Sequence, residues 1–248
     1  MNTFAAEDLV LVSPRYLAGA GTRIADALGP LIHLFDWSHD HDSASGHIRL
    51  DSPCGSAFLD FEPTRFDGSW WTIRHHDPFW TARFSRQTPI EAIAAVAQAL
   101  PQLLGDARHA DRIPLITSGL DQTAALNGWT TTHAETITLY TSPDGHCVLT
   151  HEPDGELPWR FTHSLYDGFD TEWTATVSRD APEELARQFF AHLADPAPVE
   201  RLFKDLPYLV QNSSGALITP ANTSSVSPHV HHAAAQAVQA QAGRPPRR

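Results

Sequence analysis

The feature that most constrains this chain is that it contains the same unit twice. Trp80-Thr81-Ala82-Arg83-Phe84-Ser85-Arg86 recurs without a gap as Trp173-Thr174-Ala175-Thr176-Val177-Ser178-Arg179. Each run continues to a proline, Pro89 or Pro182, and then to Glu91 or Glu184. Upstream, Ser52-Pro53-Cys54-Gly55 matches Ser142-Pro143-Asp144-Gly145, and Glu62-Pro63 matches Glu152-Pro153. Trp71 and Trp159 are each followed four residues later by a histidine, His75 and His163. Trp37 and Trp129 precede the two Ser-Pro turns. The blocks keep their order while the spacing drifts, as short insertions at hairpin loops produce. Two similar supersecondary units are therefore expected.

Each block predicts an element. Proline presets φ at the second position of a type I turn, serine suits the first and glycine the fourth. Residues 135–141 alternate and are rich in Thr, Ile and Tyr, and residues 146–152 alternate again, so Ser142 to Gly145 caps a hairpin. Further strands are expected over 70–76 and 159–165, and over 80–86 and 172–179. Thr88-Pro89-Ile90-Glu91 has the form of a capping box, with Thr at the cap, and a helix face of Ile90, Ile93, Ala94, Ala97 and Leu100 follows. Asp180 or Ala181 takes the cap in the second unit, before Leu185, Phe189 and Leu193. Shorter helices are expected near 21–28 and 120–126. The fold class is α+β: two tandem repeats, each a short helix, four or five antiparallel strands and a C-terminal helix packed on the sheet, arranged as a pseudo-dimer. Residues 211–248, rich in Ser, Asn, Ala, Gln and His, are expected to be a disordered tail.

The order Trp … Ser-Pro-Asp-Gly … Trp … Trp-Thr-Ala-x-x-Ser … Pro-x-Glu resembles an actinobacterial domain of unknown function called the SPDY domain. Two copies would cover residues 10–104 and 112–203. The first departs from the pattern, with Cys54 in place of the aspartate. The resemblance implies a bacterial protein with duplicated domains and brings no catalytic residue with it.

Charge narrows the partners. The chain has 17 Lys+Arg against 29 Asp+Glu, a formal charge of −12. Arg244, Arg247 and Arg248 lie in an acid-free tail, so residues 1–210 carry −15. Such a body repels a phosphate backbone, which makes nucleic acid an unlikely partner and suits a protein partner, a basic one included. No apolar run reaches 18 residues, so no membrane span is expected. Glu7 and Asp8 stand where a signal peptide would place basic residues, and there are only two cysteines, Cys54 and Cys147. A cytoplasmic location follows as the expectation.

The candidate site residues come from the repeated blocks. Trp71 and Trp159, Trp80 and Trp173 recur on strands, where they are either core anchors or an outward aromatic stripe. Trp70 adjoins Trp71 on the opposite face and has Pro158 as its counterpart, so Trp70, with Phe79, is the expected exposed contact. His75 with Glu62, and His163 with Glu152, are possible acid/base pairs, or histidines packed beside tryptophan. His39 and His41 are two apart and offer a metal alternative, set against a polar loop over 38–46. Ser52 and Ser142 are explained as turn residues without a nucleophile elbow. No cofactor is implied. The expectation is a non-enzymatic binding or interaction module; the alternative is a metal-assisted or acid/base hydrolase using the His-rich segments.

Overall fold

The computed structural model describes residues 4–165 and 171–221. Ten strands form one antiparallel sheet. The first half supplies β2 (Ser38–Asp42), β3 (His47–Asp51), β4 (Ala57–Phe61), β5 (Trp71–His76) and β6 (Phe79–Phe84). The second supplies β7 (Thr130–His133), β8 (Thr138–Thr141), β9 (Cys147–His151), β10 (Trp159–Ser164) and β11 (Thr171–Val177). Their order is β2-β3-β4-β5-β6-β11-β10-β9-β8-β7, so the halves meet edge to edge at β6 and β11.

That seam is built from the gapless repeat. Arg83 stands opposite Thr176, Ala82 opposite Val177, and Phe84 opposite Ala175. Beyond the ladder the exchange is reciprocal. Thr81 N–H donates to Ser178 Oγ and Thr174 N–H to Ser85 Oγ, each at 2.8 Å. Ser85 N–H donates to Thr174 C=O and Ser178 N–H to Thr81 C=O, each at 2.9 Å. The serine side chain thus replaces a backbone acceptor where the strands diverge. Ala82 and Ala175, at 0% and 1% exposure, leave room above the seam for helices.

Four helices cover one face. They are α1 (Ile24–Phe35), α2 (Ile90–Leu103), α3 (Leu120–Leu126) and α4 (Glu183–Ala194). Helix α2 packs against both α1 and α4, and α3 against α4. The alternate strand residues Leu50, Leu59, Trp71, Ile73, Trp80, Phe84, Leu149, Phe161, Trp173 and Val177 join the helix faces in one core. Phe189 of α4 lies 5.3 Å from Phe84 and 4.6 Å from Phe161, so one side chain packs on both halves. Trp71, Trp80, Trp159 and Trp173 are all buried, and the core-anchor reading holds.

Three sequence expectations are corrected. Helix α1 runs on to Phe35 through Pro30. Proline lacks the N–H that would bond Asp26 C=O, and the Gln98 amide of α2 donates to that carbonyl instead, at 2.9 Å. Thr88 does not cap α2; its hydroxyl donates across the seam to Thr174 C=O, and Pro89 precedes the helix. Residues 38–42 are an edge strand rather than a loop, exposed at every position.

A second sheet of three strands, in the order β12-β1-β13, is made by β1 (Leu9–Ser13), β12 (Val199–Leu202) and β13 (Leu217–Pro220). Between β12 and β13 lies a one-turn helix, α5 (Tyr208–Gln211). The expected tail therefore contains a strand: Ile218 packs on Val10, Val12 and Val199, which need cover on both sides of β1. The rest of the tail, residues 222–248, lies outside the described residues. Arg201 of β12 ties this sheet to the helix layer. Its guanidinium meets both carboxylate oxygens of Glu91 at 2.7 Å and donates to Ala18 and Gly19 carbonyls. Gly21 has φ +67°, and a Cβ there would lie 2.8 Å from the Arg201 guanidinium carbon.

His75 stands opposite Trp80 and His163 opposite Trp173, and each imidazole stacks on its indole, at 5.5 and 5.7 Å. His75 Nδ1 lies 2.9 Å from Pro78 C=O. His163 is 1% exposed, and among the described residues neither ring nitrogen has a partner. Burial pushes its pKa down to about 4.

Two outcomes follow from this core. Unfolded chain takes up a proton on His163 near pH 6.5, whereas folded chain does so only near 4. Stability should fall as pH drops through that window, by up to about 3 kcal/mol from this residue. Urea unfolding of His163→Phe should show a shallower pH dependence than the parent between pH 7 and 4.5; an unchanged slope would refute the assignment. At the seam, Ser178→Ala should cost about 1 kcal/mol in the same assay. Ser85→Ala should cost less, because the exposed Thr174 amide can turn to water.

Candidate functional site

The two faces of the sheet differ in chemistry. Opposite the helices, the first half carries His47, Arg49, Phe58, Asp60, Thr72, Arg74, His76, Phe79 and Arg83, the residues that alternate with the core set. The second half carries mainly threonines there, Thr130, Thr132, Thr141, Thr150, Thr162, Thr174 and Thr176, with Arg160. Phe79 is 63% exposed. Phe58 lies edge-on to His76 at 4.7 Å, and the Arg49 guanidinium sits 4.5 Å above the Phe58 ring. Phe79 stands directly opposite His76 at the end of the β5–β6 hairpin. Aromatic and cationic side chains therefore run across four adjacent strands, β3 to β6.

The sequence-expected residues are separated by this geometry. Trp71, Trp159, His75 and His163 lie in the core and reach no solvent patch. Trp70 is half-buried, set against Phe61 at 6.2 Å and beneath the Arg86 guanidinium at 5.0 Å. Phe79 is thus the exposed member of the expected pair. His75 points to the helix side, while Glu62 carries an ion pair to Arg65 at 3.1 Å, so that acid/base pair is not formed. Glu152 is exposed while His163 is buried. His39 and His41 are exposed on the edge strand, and neither is in the cluster of metal-type donors found among the described residues.

That cluster is His47, Asp60 and Glu62, whose ligand atoms lie within 4.8 Å of one another. His47 Nε2 is 3.3 Å from Asp60 Oδ1 and 3.7 Å from Glu62 Oε1. The other oxygens face guanidinium groups, Asp60 Oδ2 with Arg74 at 3.5 Å and Glu62 Oε2 with Arg65 at 3.1 Å. Sequence reading had Glu62 and missed its partners. Register supplies them, since β3 pairs with β4 and brings His47 beside residues fifteen and thirteen positions away.

The two Ser-Pro turns are closely similar. Ser52 Oγ accepts from Ala57 N–H at 3.0 Å, and Ser142 Oγ from Cys147 N–H at 2.9 Å. Ser142 also donates to Asp144 Oδ1 at 2.6 Å. Cys54 occupies the aspartate's place, with Sγ 3.4 Å from Ser52 Oγ and 2.9 Å from Ser56 Oγ. These hydroxyls bring its thiol down to about 7. A cleft of about 310 Å³ lies beside it, lined by Trp37, Pro101 and Leu104. Both serines are spent on the turn, as their sequence context indicates.

No helix among the described residues is long and apolar enough to cross a membrane. No curated protein and no solved structure matches the chain. A family model does match, over residues 51–102 and 141–199. Each matched segment begins at a Ser-Pro turn, runs through the seam strand and includes the long helix behind it. The model that matches these two segments is that of the SPDY domain, a domain of unknown function (DUF317).

Proposed function

We propose that this protein is a non-enzymatic binding module that holds a protein partner on the uncovered face of its ten-stranded sheet. The halves, residues 10–104 and 112–203, stand to one another as the two subunits of a pseudo-dimer, fused through the seam. The observation that carries the binding reading is the patch around Phe79. A phenylalanine 63% exposed, paired across the hairpin with His76, which itself lies edge-on to Phe58 under the Arg49 guanidinium, is costly to leave in water and forms a ready anchor. Arg49 is paired with Asp51 at 3.1 Å and Arg74 with Asp60 at 3.5 Å, and Arg83 adds a further guanidinium to the face. The partner is therefore one that buries an aromatic ring and answers guanidinium groups with carboxylates. The two free cysteines and the acidic body support action in the cytoplasm.

Trp70 is a poor probe of this surface, because its indole packs against Phe61. Phe79→Ala and Arg83→Glu are cleaner. The full chain, carrying a tag without histidines, should recover one partner at near-equal amount from nuclease-treated host lysate. Remade from purified components, that complex should weaken at least about tenfold on Phe79→Ala. It should be unchanged by Phe66→Ala, whose ring is fully exposed off the sheet. A partner indifferent to both sheet-face variants, or no stoichiometric partner at all, would overturn the reading.

A further inference from the structure

Asp60 is a buried carboxylate that the fold does not need. It is 4% exposed, and its contacts are long, 3.3 Å to His47 and 3.5 Å to Arg74. Taking a carboxylate out of water is costly unless strong partners repay it. Aligning Glu62-Pro63 with Glu152-Pro153 puts Thr150 at the corresponding place in the second half, on a strand of the same design. The same alignment through Ser52 and Ser142 puts Ile137 at the place of His47. Strand and sheet form there without either group. A second anomaly adjoins the first. Thr72 stands directly opposite Asp60 on the same face, 2% exposed, and its hydroxyl has no hydrogen-bond partner among the described residues.

We propose that His47, Asp60 and Glu62 form a divalent transition-metal site, with zinc as its best fit. Zinc held at 2.0–2.2 Å in a tetrahedron sets its ligand atoms about 3.3–3.6 Å apart. The distances from His47 Nε2 to the two carboxylates are 3.3 and 3.7 Å. One imidazole and two carboxylates suit zinc or manganese better than calcium, which takes six to eight oxygens. Arg74 and Arg65 each hold the outer oxygen of one carboxylate and leave Oδ1 and Oε1 turned toward His47. This is the orienting role that outer hydrogen bonds play at metal sites. Three protein ligands leave one position for water, and the unpartnered Thr72 hydroxyl is a neighbour with which such a water can bond. The His47 side chain is 35% exposed, so the site opens to solvent.

The site is independent of the interaction surface proposed above, and its test does not rely on a partner. The tail histidines His229, His231 and His232 are first changed to glutamine in the full chain, so that they cannot answer for the site. Calorimetric titration of this chelator-treated protein with zinc should show one equivalent bound. His47→Gln should weaken binding at least about tenfold, as even outer-shell changes do at metal sites. The pair His39→Gln and His41→Gln should leave it unchanged. Cobalt should give the intense visible bands of a four-coordinate ion, lost on His47→Gln. Asp60→Asn should abolish binding while an unchanged melting profile shows that it still folds. No saturable zinc uptake, or uptake that follows His39 and His41 instead of His47, would overturn the proposal.

Discussion

The pairing of β6 with β11 is the contact on which the rest of the structure depends. It turns two five-stranded sheets, each with two open edges, into one sheet with two. It also sets α2 and α4 side by side, so that Phe189 packs on both halves and the core is continuous. The repeated Trp-Thr-Ala-x-x-Ser run acquires a physical meaning here. The tryptophans fill the covered face, the alanines keep the middle of the seam low beneath the helices, and Thr and Ser exchange hydrogen bonds where the ladder ends. The two open edges that remain carry little apolar surface. One is Ser-His-Asp-His-Asp and the other Thr-Thr-Thr-His, which discourages further strand addition.

The segments outside the repeats break the symmetry of this frame. Tyr16 leaves the small sheet and enters the second half, edge-on to Trp129, while its carbonyl accepts from the Trp173 indole at 2.9 Å. Burial raises its phenol well above the ordinary value. This plug dries the environment of His163. The equivalent His75 instead meets the Pro78 carbonyl and keeps a polar partner. Two histidines that match in sequence thus differ in their surroundings: His163 packs on Tyr16 at 6.0 Å, and His75 meets the turn that follows its strand. Arg201 holds that arrangement in place. Its bidentate bond to Glu91 and its bonds to the Ala18 and Gly19 carbonyls satisfy a cation that is 3% exposed in its side chain.

Much of the fold was legible because the repeat multiplies weak signals. The Ser-Pro-x-Gly turns, the central strands, α3 and α4 follow from turn chemistry and periodicity. The edge strand β2 was not legible, because it projects past the helix layer and has no apolar face to alternate. Pro30 hid the second half of α1, since the residue that compensates for it, Gln98, lies 72 positions from the carbonyl it serves. The strand β13 was hidden in polar surroundings, with only Leu217 and Ile218 to mark it. Thr88 and Glu91 had the spacing of a cap but found stronger partners across the seam and in Arg201. In each case a distant contact outweighed a local preference, and local patterns carry no trace of such contacts.

The candidate sites were the least legible part, and the duplication explains why. Residues that match between the halves are the ones the architecture requires in both. Trp71 and Trp159, His75 and His163, and the paired serines are all buried. Selecting candidates because they recur therefore selects for the core. Chemistry particular to this protein is concentrated where the halves differ on the uncovered face. Asp60 against Thr150, His47 against Ile137 and Thr72 against Arg160 place a polar cluster in one half, and on the same half Phe79 faces solvent. The second half, a near-copy without that cluster, serves as an internal control on what the fold needs. In a duplicated domain of this kind, divergence between copies is a better guide to function than agreement.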